Sequence, residues 1–206
     1  SLGLVGSEMC IRDRYIRDVE NGEIVYVENK KLISLKPFPL KKIRPCVFEY
    51  IYFSRPDSIL NGKCAYEYRK NFGVELAKET SIDADLVVPV PDSGNAAAIG
   101  YSQHEKINFD LGLIRNHYVG RTFIEPAQKI RSLGVRLKLN ANKSTIKNKK
   151  IVLVDDSLVR GTTSHKIVKM LYDFGAKEVH VRIASPEIRF PDFYGVDTVS
   201  YTHLTL

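Results

Sequence analysis

The segment Ile151–Ser164, IVLVDDSLVRGTTS, constrains this chain more than any other stretch. Ile151 to Val154 is an unbroken aliphatic run with no polar alternation. A strand built from it must be covered on both faces, as in the middle of a parallel sheet. The run ends on two adjacent carboxylates, Asp155 and Asp156. Ser157, Arg160, Gly161, Thr162, Thr163 and Ser164 follow at the start of a helix. Backbone N–H groups in a first helical turn have no intrahelical partner and sit at the positive end of the helix dipole. Hydroxyls and a glycine there suit a phosphate monoester. Two carboxylates just before it would repel that phosphate, so they must face something else. Sugar hydroxyls and a Mg²⁺ ion are the natural candidates. A Walker loop is excluded, because G-x-x-x-x-G-K-[ST] is absent. An Asp or Ser helix cap accounts for one of these residues at most.

The flanking sequence alternates in the same sense. Asp85–Val90 (DLVVPV) is a second apolar strand, closed by the turn Pro91-Asp92-Ser93-Gly94, and Asn95–Gln103 has a helical pattern. Thr162–Phe174 is an amphipathic helix with Ile167, Leu171 and Phe174 on one face, and Gly175 stands at the left-handed C-cap position. Glu178–Ser185 is a further strand. Upstream, Glu23–Glu28 after the Asn21-Gly22 turn and the aromatic run Phe48–Phe53 both have strand character. Gly62–Thr80 carries Ala65, Tyr68, Phe72 and Leu76 at helical spacing, with Gly73 as a weakening feature. Phe109–Arg115 is another short strand candidate. Strands buried on both faces and alternating with helices predict an α/β fold: a parallel, doubly wound sheet that binds ligands beyond the carboxyl ends of its strands.

Charge singles out one more region. Residues 115–150 hold ten Lys/Arg and one acid, Glu125, a local balance of +9 within a chain of formal charge +7. Such a block meets an anion, whether nucleic acid, an acidic membrane or a phosphorylated small molecule, or else is a solvated loop. No run approaches the roughly 18 to 20 apolar residues that span a bilayer, and no secretory signal opens the chain. Three cysteines without a C-x-x-C pair argue against a disulfide framework or a four-thiolate zinc site. Together these point to a reduced, cytoplasmic protein.

IVLVDDSLVRGTTS resembles the phosphoribosyl-pyrophosphate (PRPP) signature of the type I phosphoribosyltransferases. More narrowly, YIRDVENGEIV, FEYIYFSRPDS, VPVPDSG, RNHYVGRTFIEP, VRLKLN and SPEIRFPDFYG resemble the amidophosphoribosyltransferase family over about residues 15–198. The resemblance implies the type I phosphoribosyltransferase fold, a parallel twisted sheet flanked by helices with a mobile basic lid loop. It implies Asp155 and Asp156 on the ribose hydroxyls and the Mg²⁺ sphere, with Ser93 near the metal. It also implies that Ser157, Arg160, Gly161, Thr162, Thr163 and Ser164 hold PRPP through its 5′-phosphate. Arg115–Ile124 is similar to the family's closing loop, which would make Arg115, Tyr118 and Arg121 the catalytic groups and Gly120 a hinge. The implied reaction is attack of ammonia on C1 of PRPP with loss of pyrophosphate, the first step of purine synthesis. In the intact enzyme a glutaminase domain supplies the ammonia from glutamine. A homo-oligomer is expected as well, with no nucleic-acid and no membrane partner.

The sequence departs from the family in places. It has Arg115-Asn116-His117-Tyr118 where Lys-Asn-Arg-Tyr is usual. Cys46 matches the first of four cysteines that hold an iron–sulfur cluster in some relatives, but Asp192 stands at the second. No cluster is therefore expected, and Cys46 and Cys64 are expected to be buried. The division expected is 15–45 as linker from a missing glutaminase domain and 46–198 as the phosphoribosyltransferase domain, truncated at its C-terminus. Residues 1–14 and 199–206 look like translated adapter sequence and are expected to be non-native. Two other functions fit parts of the pattern. One is a nucleobase-salvage phosphoribosyltransferase, for which no base-stacking residue can be located. The other is a non-catalytic PRPP-sensing regulator, for which no DNA-reading motif is present.

Overall fold

A computed structural model describes residues 16–42, 44, 46–117, 139–158 and 161–187. The chain divides after residue 45 into two units. In the first, β1 (Ile24–Glu28) and β2 (Lys31–Leu35) form an antiparallel hairpin with Glu28 opposite Lys31. Asn29 and Lys30, at φ 48° and 61°, make the two-residue turn, whose backbone twist matches that of the strands. The strand starting near Glu23 is as expected. Its partner β2 was not anticipated, because Asn-Lys is a weaker hairpin signal than Asn-Gly.

The second unit opens with a correction. Phe48–Phe53 is not a strand: Glu49–Phe53 is a π-helical turn, closed by Ser54 N–H donating to the Glu49 carbonyl at 3.2 Å. The reason is tertiary. The buried guanidinium of Arg69 donates from Nε to the Tyr50 carbonyl (2.9 Å) and from its Nη2 to the Ser54 carbonyl (2.7 Å). Coiled backbone presents both acceptors to one side chain; a strand would send them to a sheet partner. Beyond it, the two-residue strands β3 (Ile59–Leu60) and β4 (Lys63–Cys64) pair across Asn61-Gly62 and lead into α1 (Ala65–Glu79). The expected cysteine burial also fails. Cys46 is exposed, while Cys64 is half-buried with its thiol donating to the Pro56 carbonyl at 2.9 Å.

The fully buried residues of α1 are Ala65, Arg69, Gly73 and Ala77, not the larger Tyr68, Phe72 and Leu76. The small stripe lets α1 lie backbone-to-backbone on α2 (Asn95–Glu105). A Cβ on Gly73 would sit 1.8 Å from the Ala97 carbonyl oxygen, and one on Gly100 would sit 1.9 Å from that of Lys70. Gly73, a weak point for helix propensity, is thus required by packing.

Between these helices runs β5 (Leu86–Pro89). After α2 come β6 (Leu113–Arg115) and β7 (Leu139–Ala141), an antiparallel pair with Arg115 opposite Leu139. The strand expected over Phe109–Arg115 is split, since Phe109 makes only a parallel bridge to Val87. A short α3 (Lys143–Ile146) precedes β8 (Lys150–Asp155), α4 (Thr162–Asp173) and β9 (Glu178–Ile183). The sheet has the order β5-β8-β9, parallel throughout, with Leu86 opposite Ile151 and Asp155 opposite Ile183. Its central strand carries the constraining motif. Val88, Ile151 and Leu153 pack with Ile167 and Leu171 of α4, while Val87, Val152 and Val154 pack with Ala77, Ala97 and Tyr101. Both faces are covered, as the unbroken apolar run requires. Phe174, expected in the apolar stripe of α4, is instead 39% exposed. Gly175 takes φ 98° at the helix end, in the left-handed region that favours glycine.

Candidate active site at the end of the central strand

The site is assembled where β5 and β8 end side by side. Val90 N–H donates to the Val154 carbonyl at 2.8 Å, extending the β5–β8 ladder to the last residues before both turns. The chain after β5 then folds back through Pro91-Asp92-Ser93-Gly94 and enters α2; the Pro91–Asp92 peptide is cis. Gly94 lies directly against the end of β8. A Cβ there would fall 2.5 Å from the Val154 carbonyl oxygen and 2.9 Å from that of Val90. Only a glycine permits this approach, and the approach brings Ser93 to the diacid. Ser93 Oγ donates to Asp156 Oδ1 at 2.8 Å, joining residues 63 positions apart. Ser157 Oγ donates to Asp156 Oδ2 at 2.9 Å.

The two carboxylates are held differently. Asp156 is 7% exposed, and its backbone N–H donates to Asp155 Oδ1 at 2.9 Å. Desolvation, then the adjoining Asp156 carboxyl, pushes the Asp155 carboxyl well above the usual carboxylate range; the Asp156 N–H opposes this in part. Two acids forced together and withdrawn from water resist double ionisation until a cation or hydrogen-bond donors arrive.

On the far side of the turn lies α4. Gly161 precedes it at φ 67°, where a side chain would be strained, and His165 N–H makes the first bond back to the Gly161 carbonyl (3.0 Å). The N–H groups of Thr162, Thr163 and Ser164 belong to the helix's open first turn. Thr163 is exposed and Ser164 buried. Arg160 lies outside the described residues, and so do Tyr118, Gly120 and Arg121. Arg115, at the end of β6, forms an ion pair with Asp92 of the turn after β5. Its Nε is buried and unpartnered among the described residues. The structure thus brings Ser93, Asp155, Asp156 and Ser157 together and places Arg115 beside the same turn.

Two residues that the sequence did not single out now matter. Asp92 holds Arg115. Arg69, 7% exposed, reaches the site's surroundings from α1; burial lowers its proton affinity and the charge of Asp156 raises it. A signal for Arg69 existed in the four-residue spacing of Ala65, Arg69, Gly73 and Ala77.

Magnesium fits the oxygens present. The described residues contain no cluster of three or more Asp, Glu, His or Cys side chains able to hold a metal alone. What stands here is two carboxylates and a hydroxyl, a hard and incomplete set of the kind that shares Mg²⁺ with substrate phosphates.

A parallel sheet covered by helices, with an acidic pair closing its central strand and a glycine-opened helix following it, is the type I phosphoribosyltransferase fold. No family model matches the chain. Individual relatives do. The chain is 56% identical over 201 residues to the amidophosphoribosyltransferase of Rhizobium etli, covering 93% of this chain and 40% of that protein. It is 51% identical to that of Synechocystis, covering 98% and 41%, and 48% identical to that of Bacillus subtilis, covering 98% and 43%. Among solved structures it matches the B. subtilis glutamine PRPP amidotransferase complexed with ADP and GMP. The TM-score is 0.77 at 49% identity, over 91% of this chain and 41% of that one. The chain belongs to the amidophosphoribosyltransferases and matches their phosphoribosyltransferase half. It spans about two-fifths of the length of these relatives.

Proposed function

We propose that this chain binds PRPP with Mg²⁺ and transfers its phosphoribosyl group to ammonia, giving 5-phosphoribosylamine and pyrophosphate, the opening step of purine synthesis. The observation that carries the reading is the Ser93–Asp156 contact, which joins the ends of two parallel strands into one oxygen-lined site. The amidophosphoribosyltransferase relatives point the same way.

In this reading Asp155 and Asp156 accept hydrogen bonds from the ribose hydroxyls. With Ser93 they also hold Mg²⁺, which when bound offsets the charge of the diphosphate. Ser157, Arg160 and Gly161 to Ser164 receive the 5′-phosphate at the open first turn of α4. Ammonia attacks C1 as the C1–oxygen bond breaks, pyrophosphate leaves with the bonding pair, and the ammonium formed loses a proton. Arg115 and Arg121 stabilise the charge gathering on the leaving group, and Tyr118 packs over the closed site. In the whole enzyme a glutaminase domain supplies the ammonia. We assign the enzyme to the cytoplasm as a homo-oligomer without an iron–sulfur cluster; no helix among the described residues is long and apolar enough to cross a membrane.

The test is a ³¹P NMR time course of PRPP with Mg²⁺ and excess ammonium, run on wild type and on Asp155→Asn/Asp156→Asn. Ammonium-dependent pyrophosphate release that the double variant loses is expected. Folded wild-type protein that neither turns over PRPP nor broadens its resonances would overturn the reading.

A further inference from the structure

By residue surface area, Arg69 and Asp156 are the two buried charged side chains among the described residues, each 7% exposed. They carry opposite charges and feel one another, yet no carboxylate among the described residues lies within ion-pair distance of Arg69. The guanidinium is tied to backbone instead, to the Tyr50 and Ser54 carbonyls at 2.9 and 2.7 Å. Two carbonyls satisfy donors without cancelling the charge. A guanidinium also does not shed its proton under ordinary conditions. A fixed positive charge therefore stands near the diacid, unable to swing to solvent and uncancelled by a direct partner.

We propose that Arg69 is a charge-selecting residue for this site. It weakens the hold of the diacid on a bare divalent cation and favours the same cation when it arrives complexed with a polyanionic sugar phosphate. A lone dication approaching Asp155 and Asp156 is repelled by Arg69. A dication carrying a diphosphate and a monophosphate has net negative charge, and Arg69 attracts it. Arg69 is a positioning and selecting residue rather than a catalytic one, because backbone carbonyls engage its bonded donors. The polyanion part rests on the PRPP reading above; the bare-cation part does not.

The two ligands make the role separable from packing. A mere structural lesion at a buried arginine weakens both forms of binding. Loss of the charge moves them in opposite directions. The full chain would be titrated with Mn²⁺, with free ion followed by electron paramagnetic resonance, in the absence and presence of PRPP. Wild type, Arg69→Gln, Arg69→Met and Arg69→Lys would be compared after thermal melts confirm folding. In Arg69→Gln and Arg69→Met, Mn²⁺ alone should bind about fivefold tighter and Mn²⁺ with PRPP about fivefold more weakly, as expected for removing one nearby charge in a partly screened site. Arg69→Lys should keep the wild-type ordering. Neutral variants in which both affinities fall together, or neither moves, would overturn the proposal. Should the neutral variants not fold, wild-type protein that binds Mn²⁺ alone as tightly as with PRPP overturns it too. Failure of wild type to bind PRPP at all would refute the proposed function instead, while the shift in bare Mn²⁺ affinity still reports on Arg69.

Discussion

Replacing Gly73 with Ala offers the sharpest test of how the fold sets the site. In an isolated helix this change stabilises by about 1 kcal/mol, because glycine is the poorer helix former. Here the new Cβ would lie 1.8 Å from the Ala97 carbonyl oxygen and 2.7 Å from its carbon, where 3.0 Å is the practical floor. Both atoms are backbone, so no rotamer relieves the contact. α1 and α2 must separate by about 1.2 Å at their closest point, the difference between floor and contact. Overpacking of this kind costs typically ~1–3 kcal/mol, and more where backbone has to move. We expect a net destabilisation of about 3 kcal/mol, equivalent to a fall in Tm of ~6–12 °C for a chain of this size. Circular-dichroism melts of wild type, Gly73→Ala, Gly100→Ala and the double variant would measure it. One separation relieves both clashes, so the double variant should lose less than the sum of the singles. α2 follows directly on Ser93-Gly94, so the same displacement should loosen the Ser93–Asp156 contact and weaken binding of PRPP with Mg²⁺. A Tm for Gly73→Ala equal to or above wild type would refute the reasoning, since it would mean that propensity outweighs the contact.

Asp155→Asn should raise the Tm of the ligand-free protein at neutral pH while abolishing PRPP turnover. A carboxyl whose folded-state pKa is raised contributes stability that is fully present below its unfolded value, and that stability is lost as pH rises through the folded value. The wild-type Tm should therefore decline over that window and the variant should not; parallel profiles would contradict the assignment of the strained acid to Asp155. Asp92→Asn should free Arg115 from its ion pair and tighten pyrophosphate binding by at most about fivefold, the range expected of a partly exposed pair. Arg115→Gln should weaken it. Isothermal titration with pyrophosphate at low and high salt checks both, and a weaker Asp92→Asn would mean that the pair orders the turn instead of occupying the arginine.

Much of the sheet was legible because burial on both faces leaves a strong mark. Lys150–Asp155, bounded by two acids, was placed to the residue, and the helix starting at Thr162 followed from Gly161 and its hydroxyls. The contact between Ser93 and Asp156 was less so: the turn was visible in Pro91-Asp92-Ser93-Gly94, but what presses it onto β8 is the missing side chain of Gly94. The aromatic run at 48–53 misled because its period suits a strand, while a buried arginine 16 residues beyond Phe53 dictates coiled backbone. The packing face of α1 misled for a related reason. Large apolar residues dominate any reading of periodicity, whereas helices in backbone contact select small ones.

The same small-residue logic runs from the helix pair to the chemistry. Gly73 fits against Ala97 and Gly100 against Lys70, which fixes α2 on α1. Gly94 fits against Val154, which fixes the start of α2 on the end of β8. Each link is a backbone contact, stiffer than one made through flexible side chains. Ser93 stands between the last two links, so its 2.8 Å approach to Asp156 is set by main-chain distances. Arg69 lies on the same stripe of α1, one helical turn before Gly73, and is therefore placed by the same contacts. Its distance from the diacid cannot change without parting the helices. A charge that must act at a fixed range is thus carried on the least deformable surface of α1.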